Sequence, residues 1–229
     1  MHLFKKLAKA FMIILLAAVT GFALAGCGGS GASSSSAKAP AAGAAKTPAK
    51  PGDKLIIRML DIGQGDAFLL EKDGKFAMID TGDVEHREAL VKYLHEYGVK
   101  ELSNVIITHP HADHMGGMKA VFDNIKVDNI YDDGVPTNTN TYKTYLKNIK
   151  TKNIPFHIPK AGETIALFDG VDFHVAGPVS EITDQKGRPD LNNNSIVGKL
   201  TYGDFSMLFT GDAEKEEESA ILKSGFGLK

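Results

Sequence analysis

The sequence predicts a mixed α/β (α+β) domain, and two patterns support this prediction. Short apolar runs rich in β-branched residues, such as residues 104–108 (NVIIT), are typical of buried strands. Residues 85–97 instead space their apolar side chains at helical intervals and end before Gly98, which is typical of an amphipathic helix. Strands and helices of these two kinds alternate along most of the chain.

The remaining elements follow from the same criteria, taken in chain order. Strands are predicted at residues 54–60, 67–71, 76–79, 104–108, 129–131 and 154–158, and helices at 85–97, 115–122, 142–150 and 213–223. Residues 163–167 with 171–175, and 195–202 with 205–209, form two predicted hairpins around Asp169-Gly170 and Gly203-Asp204. Residues 178–192 are a predicted polar loop.

The N-terminal region has the pattern of an export signal. Residues 1–10 contain three lysines, and residues 11–25 are almost purely apolar but too short for a comfortable membrane span. Residues 24–27 (LAGC) resemble a bacterial lipobox, which implies cleavage after residue 26 and lipidation of Cys27. The alternative is a plain signal peptide followed by an ordinary buried cysteine. The lipobox predicts an extracytoplasmic protein of the bacterial cell envelope, held at the membrane through Cys27.

Cysteine content and composition divide the chain into three predicted segments. Cys27 is the only cysteine in the sequence, so no internal disulfide is expected. Residues 28–52 contain only small, polar and basic residues and proline, which cannot bury enough surface to fold and are typical of a flexible tether. The predicted segments are a signal at 1–26, a lipidated cysteine with linker at 27–53, and a folded domain at 54–229.

The charge balance limits the classes of partner. Removing a signal that carries three lysines and no acidic residue changes the formal net charge from −2 to −5. An acidic chain argues against broad, non-specific binding of nucleic acid, although it leaves room for a local groove. The negative charge also favours small substrates over long polyanions.

The sequence directly after the predicted strand at 104–108 indicates a metal site. Residues 109–114 (HPHADH) hold three histidines and one aspartate, the ligand types that suit zinc and similar divalent ions. In an extended segment His109 and His111 point the same way and can share one ion. Asp113 and His114 follow a turn and can face a second ion. The alternative is a polar, histidine-rich loop at the start of a helix.

Four segments resemble a known family: residues 60–67 (LDIGQGDA), 109–117 (HPHADHMGG), 192–197 (NNNSIV) and 208–214 (LFTGDAE). The chain resembles hydrolases of the metallo-β-lactamase fold and, among them, the hydrolase domain of ComEC-type competence proteins of DNA-uptake channels. The resemblance covers residues 55–229. It implies a four-layer αββα sandwich with two divalent ions, zinc or manganese, at the edges of its sheets.

The resemblance also implies roles for individual residues. His109 and His111 would bind the first ion, and Asp113 and His114 the second. Asp113 would in addition be catalytic, by orienting the attacking water. Asp212 would bridge both ions, unless it is only the N-cap of the last helix.

A further set of residues would surround the ligands. Asp80 would lie beneath the site and orient ligand histidines by hydrogen bonds, unless it is only a turn or cap residue. Gln64 and Asp66 would line the pocket rim, where residues 63–65 suit a structural turn equally well. Asn193, Asn194 and Ser195 lie where many family members place a histidine ligand, and an asparagine is a candidate substitute.

Two expectations concern departures from the family. Relatives continue beyond the position of Lys229 with another strand and a histidine-rich turn that supplies a ligand to the second ion. Either the sequence is a fragment of a longer protein, or the predicted sandwich lacks its C-terminal strand and helix and the site is incomplete. Weaker occupancy of the second ion is expected. The other histidines stand outside any motif: His86 and His95 are predicted on a helix surface, and His157 and His174 on strands.

These observations favour an anchored, metal-dependent hydrolase, and specifically a phosphodiesterase or nuclease-like enzyme that uses a two-metal-activated hydroxide on extracellular DNA or nucleotides. The alternative is a non-catalytic anchored module that binds metal or nucleic acid. A hydrolase of other esters or of lactams is a third possibility, because a fold does not determine a substrate. No protein partner is predicted.

Overall fold

A computed structural model of the chain describes residues 54–227. Cys27 and the predicted tether at 28–52 lie outside the described residues. In chain order the elements are β1 (Ile56–Met59), β2 (Phe68–Lys72), β3 (Lys75–Ile79), α1 (Arg87–Glu96), β4 (Glu101–Leu102), β5 (Asn104–Ile107), α2 (Ala112–Met115), α3 (Met118–Asn124), β6 (Lys126–Val127), β7 (Ile130–Asp132), α4 (Asn140–Lys152), β8 (Phe156–His157), β9 (Thr164–Phe168), β10 (Val171–Gly177), β11 (Val197–Tyr202), β12 (Phe205–Phe209) and α5 (Lys215–Ser224).

Two larger sheets carry the fold. The first has the strand order β1-β2-β3-β5-β7-β8, antiparallel from β1 to β3 and parallel from β3 onward. The second is antiparallel, with the order β12-β11-β10-β9. A short parallel pair joins β4 to β6. The parallel strands β3, β5 and β7 end at one edge of the first sheet, so the residues that follow them are neighbours.

Side-chain alternation builds four layers from these sheets. In β2, Leu69 packs with the helices on the outer face, whereas Phe68 and Leu70 pack against the second sheet. This is the period-two pattern of a strand that is buried on both faces. On the far side of the second sheet, Ile221 of α5 packs against Val197. The layers are therefore helix, sheet, sheet and helix, which confirms the predicted αββα sandwich.

Aromatic side chains contribute to the packing between the two sheets. Phe209 at the end of β12 contacts Phe68 edge-on, with ring centroids 5.0 Å apart, and lies 6.2 Å from the ring of Phe173. Each buried side chain of this size contributes about 1.5–3 kcal/mol relative to an exposed one. This packing holds the end of β12 against β2 and thereby sets the position of the residues that follow Phe209.

The predicted strands, helices and hairpins are confirmed to within a few residues, with two differences. The helix predicted at 115–122 is in fact two helices, and the first of them begins at Ala112, so that Asp113 and His114 are helical. The two-residue strands β4 and β6 were not predicted, because two residues are too few to show a periodicity. Among the described helices, none has the length and apolar character needed to cross a membrane.

Candidate metal centre

The site lies where strands of both sheets end. Asp80 follows β3 and Thr108 follows β5, and these parallel neighbours bring the two residues side by side. Asp212 follows β12 in the second sheet. The amide N–H of Ile196 donates to the Thr108 carbonyl (2.8 Å), which ties the segment before β11 to the end of β5. The site therefore joins the two halves of the sandwich.

The histidine motif presents its side chains in two directions. His109 is buried directly after β5, and its Nε2 lies 3.0 Å from Nδ1 of His111. His111 keeps an extended backbone (φ −75°, ψ 151°) and is the N-cap residue of α2. Asp113 and His114 lie in the first turn of that helix. The change from extended to helical backbone at residue 111 therefore separates the first two candidate ligands from the second two.

Asp212 lies between the two pairs of candidate ligands. One carboxylate oxygen, Oδ1, lies 3.2 Å from Nε2 of His114, and the other, Oδ2, lies 3.8 Å from Nε2 of His109. Asp212 is not the N-cap of α5, since Glu214 occupies that position. The side chain that the sequence assigned as a bridge is thus placed between the two histidines.

The donor atoms form groups of the size that a metal ion requires. His109, His111 and Asp212 each offer a ligand atom within 4.8 Å of the others, and the same holds for Asp113, His114 and Asp212. Imidazole nitrogen with carboxylate oxygen is a ligand set that suits zinc and manganese. The residues present therefore fit two divalent ions that share Asp212.

Asp80 lies beneath the ligands and determines how His114 is oriented. Its carboxylate is buried and accepts three hydrogen bonds: from the amide of Thr108 (2.8 Å), the hydroxyl of Thr108 (2.7 Å) and Nδ1 of His114 (2.9 Å). Because Nδ1–H of His114 is bound to Asp80, its Nε2 is directed toward Asp212. Asp80 has φ +54°, a left-handed conformation that aspartate tolerates better than most residues.

The histidines experience opposite electrostatic surroundings. Burial, together with the nearby charges of His114 and His111, lowers the pKa of His109 to about 2, so this imidazole is neutral and can donate a lone pair. Burial also lowers the pKa of His114, but its hydrogen bond to Asp80 and the charges of Asp80, Asp212 and Asp113 raise the pKa to about 9. The carboxylates of Asp80, Asp113 and Asp212 therefore favour a positive charge at or beside His114.

A tight turn brings Asp66 to the same place. Gly65 has φ +96°, and a Cβ there would lie 2.0 Å from the carbonyl oxygen of Asp113, so the turn can pack on α2 only with glycine at this position. Ligand atoms of Asp66, Asp80 and His114 lie within 4.8 Å of one another. Burial raises the pKa of Asp66, and Asp212 and Asp113 add to this while His114 opposes it. Gln64 is exposed.

Asn193, Asn194 and Ser195 are buried, but the asparagines do not face the ligands. Oδ1 of Asn193 accepts the backbone amides of Glu214 and Glu217, each at 3.2 Å. The side-chain amide of Asn194 donates to the Ile182 carbonyl (2.7 Å), and its oxygen accepts the Ile182 amide (3.0 Å). These side chains brace the loop before β11, so the structure does not support an asparagine as the substitute ligand. Ser195 is fully buried.

Two polar residues near the site were not singled out from the sequence. Thr108 donates its hydroxyl to Asp80, and that oxygen also lies 3.1 Å from Nδ1 of His109. The sequence feature that could have indicated a role for Thr108 is its position directly before residues 109–114. Glu217 is fully buried under the Asn193 turn, and burial raises its pKa to about 8 while the amide of Ser195 opposes the shift. A glutamate on an acidic, helical segment shows no sequence signal of burial.

The other histidines lie away from the ligand groups. His86 precedes α1 as its N-cap residue, and its Nδ1 lies 2.9 Å from the carboxylate of Asp83. His95 and His157 are exposed on α1 and β8. His174 in β10 is hydrogen-bonded to threonines on the two neighbouring strands. None of these four belongs to a ligand group found within residues 54–227.

This arrangement can support hydrolysis. Divalent ions held by the two groups would supply Lewis acidity and would favour ionisation of water near neutral pH. Asp113 is half-buried, so its carboxylate can accept a hydrogen bond from a water molecule and orient it. Asp80 fixes the imidazole of His114 by a hydrogen bond, and the Thr108 hydroxyl lies within hydrogen-bonding distance of the imidazole of His109. The buried side of the site at His109 excludes solvent, which strengthens every electrostatic interaction there.

This chain is similar to part of each of two larger proteins. ComE operon protein 3 of Bacillus subtilis is 27% identical over 186 residues, covering 72% of this chain and 23% of that protein. Competence protein ComA of Neisseria gonorrhoeae is 26% identical over 182 residues, covering 79% and 23%. The chain thus spans less than a quarter of the length of these relatives.

The metallo-beta-lactamase fold protein YhfI of Bacillus subtilis aligns with a TM-score of 0.46 at 12% identity, covering 69% of this chain and 62% of that one. The family model described as the metallo-beta-lactamase superfamily matches residues 60–228, which include every candidate ligand. That match spans well over half of the sequence, and the chain therefore belongs to the metallo-beta-lactamase superfamily.

Proposed function

We propose that this protein is a metal-dependent phosphodiesterase that cleaves nucleic acid or nucleotides outside the cytoplasm. The observation that carries the proposal is the position of Asp212, whose two oxygens lie near His109 and His114 respectively. A shared carboxylate places two ions together, and paired ions stabilise both the attacking and the leaving oxygen of an in-line displacement. Phosphodiester hydrolysis needs both kinds of stabilisation.

The relatives support nucleic acid as the substrate class. One of them is named competence protein ComA, and another, from Haemophilus influenzae, is named recombination protein 2 and is 29% identical over 170 residues. These names, together with the resemblance to the hydrolase domain of DNA-uptake proteins, favour nucleic acid as the substrate class. The formal charge of −5 predicted for the processed chain favours short strands or nucleotides over long duplexes.

The test is hydrolysis of bis(p-nitrophenyl) phosphate and of labelled single-stranded DNA with Mn²⁺ or Zn²⁺. We expect turnover that a chelator abolishes and that added metal restores. Asp113→Ala is expected to lose about 10²–10⁴-fold in rate, the usual contribution of a group that handles the proton of the attacking water. Asp169→Ala removes an exposed carboxylate in the β9–β10 turn and should keep the wild-type rate. If both substrates remain intact with either metal, the proposal is wrong.

We also propose that the enzyme is anchored to the outer side of a bacterial membrane through lipidated Cys27. The wild-type protein should incorporate radiolabelled palmitate and sediment with membranes, because several acyl chains hold a protein firmly. Cys27→Ala should show neither property, whereas Ser30→Ala, three residues along, should behave as wild type. Equal labelling of the Cys27→Ala protein would exclude the anchor.

A non-catalytic metal- or nucleic-acid-binding module is the second candidate. It is favoured by one observation: the asparagines at 193 and 194 are committed to backbone hydrogen bonds, so this turn adds no side-chain ligand beside His109 and His111. Labelled oligonucleotide binding, followed by fluorescence anisotropy with each metal, separates the candidates. Tight binding with no cleavage over hours would favour the module, and cleavage would exclude it.

A further inference from the structure

We propose that Asp66 is a fourth protein ligand of the second metal ion, alongside Asp113, His114 and Asp212. The inference rests on the proposed two-ion function and assigns a role to a residue of the 61–66 turn. It draws on three observations: the backbone position of Asp66, the side chains around it, and the different use of its neighbour Asp80.

The backbone on both sides of Asp66 is held in place. The carbonyl of Asp66 accepts the amide of Gly82 (2.8 Å), and the carbonyl of Ala67 accepts the amide of Leu60 (2.9 Å). On the other side, Gly65 lies against the backbone of Asp113, where even a methyl group would overlap the carbonyl oxygen. Asp66 is thus fixed at the start of α2, the helix that carries two of the proposed ligands.

The side chain of Asp66 faces the acidic side of the site. Its carboxylate and the imidazole of His114 offer ligand atoms within 4.8 Å of each other, and the same imidazole belongs to the group that Asp113 and Asp212 form. Carboxylates gathered around one imidazole repel one another unless positive charge lies between them. A protonated imidazole supplies a single positive charge, whereas a divalent cation supplies two.

Asp80 and Asp66 both lie close to His114, but they are used differently. Asp80 is fully buried and accepts hydrogen bonds from Thr108 and from Nδ1 of His114, so its oxygens are committed. Within residues 54–227, no hydrogen bond to the carboxylate of Asp66 is found, and this carboxylate is only half-buried. Asp66 is therefore the neighbour of His114 whose oxygens are available to an ion.

The experiment measures metal binding rather than turnover. Chelator-treated full-length protein is titrated with Mn²⁺ and, separately, Zn²⁺ by calorimetry, and bound metal is measured after gel filtration. We expect two ions per wild-type chain. In Asp66→Asn the first ion should bind as in wild type and the second at least about tenfold more weakly, the lower bound seen when even an indirect supporter of a site is lost. Asp61→Asn, an exposed carboxylate of the same turn, should match wild type.

Asp66→Glu retains a carboxylate and is expected to recover most of the affinity that Asp66→Asn loses, which separates ligation from a role in folding. The Co²⁺ absorption spectrum should change between Asp66→Asn and wild type at the second equivalent only. Wild-type affinity for both ions in Asp66→Asn, or a single ion in the wild-type protein, would overturn the inference. Two bound ions without phosphodiester cleavage would instead refute the proposed function and leave Asp66 as a ligand.

Discussion

Replacing Asp212 with alanine is expected to lower the metal-dependent cleavage of bis(p-nitrophenyl) phosphate by about 1,000-fold or more, since Lewis acidity is worth several kcal/mol and about 1.4 kcal/mol is tenfold in rate. The effect is large because this one carboxylate faces both His109 and His114. Alanine removes an oxygen from each of the two ligand groups at once. Removal of any other ligand leaves one group complete.

Metal content distinguishes this explanation from a simple loss of folding. Asp212→Ala should bind both ions more weakly, whereas Asp113→Ala should weaken only the second. Glu216→Ala is a suitable control, because it removes an exposed carboxylate four residues along the chain. If Asp212→Ala bound two ions with wild-type affinity and retained its rate, the shared-ligand geometry would be wrong.

Replacing Asp80 with alanine is expected to give the largest loss of stability, about 3–5 kcal/mol, the usual result of removing one partner from a buried pair. Thr108 would lose the acceptor for its amide and its hydroxyl, and Nδ1 of His114 would lose its partner. At roughly 2–4 °C per kcal/mol for a domain of this size, Tm should fall by roughly 10 °C. Thermal unfolding of chelator-treated protein measures this directly.

Two variants separate the causes of that loss. Asn153→Ala changes an exposed residue with nearly the same backbone conformation, φ +51° against +54°, and reports the cost of alanine in the left-handed region. Asp80→Asn keeps the shape and one carbonyl acceptor but removes the charge, so an intermediate Tm is expected. A Tm for Asp80→Ala equal to that of Asn153→Ala would show that the buried hydrogen bonds contribute nothing.

Local patterns in the sequence were sufficient for several features. The helix α1 and the two hairpins of the second sheet follow from periodicity and glycine turns, because these depend on residues that are near neighbours in the chain. The candidate ligands His109, His111, Asp113 and His114 lie within six residues, so backbone geometry alone constrains where they point. Their separation into two pairs therefore did not require knowledge of the fold.

What the tertiary structure decided is how distant residues meet. Asp80, Asp66 and Asp212 are separated from the motif by about 30 to 100 residues, and only the parallel pairing of β3 with β5, the turn on α2 and the packing of β12 bring them to it. The same packing turns the side chains of Asn193 and Asn194 toward backbone amides and carbonyls. The polar residues of a sequence show which donors and acceptors exist, whereas burial decides which of them must find a partner inside the protein.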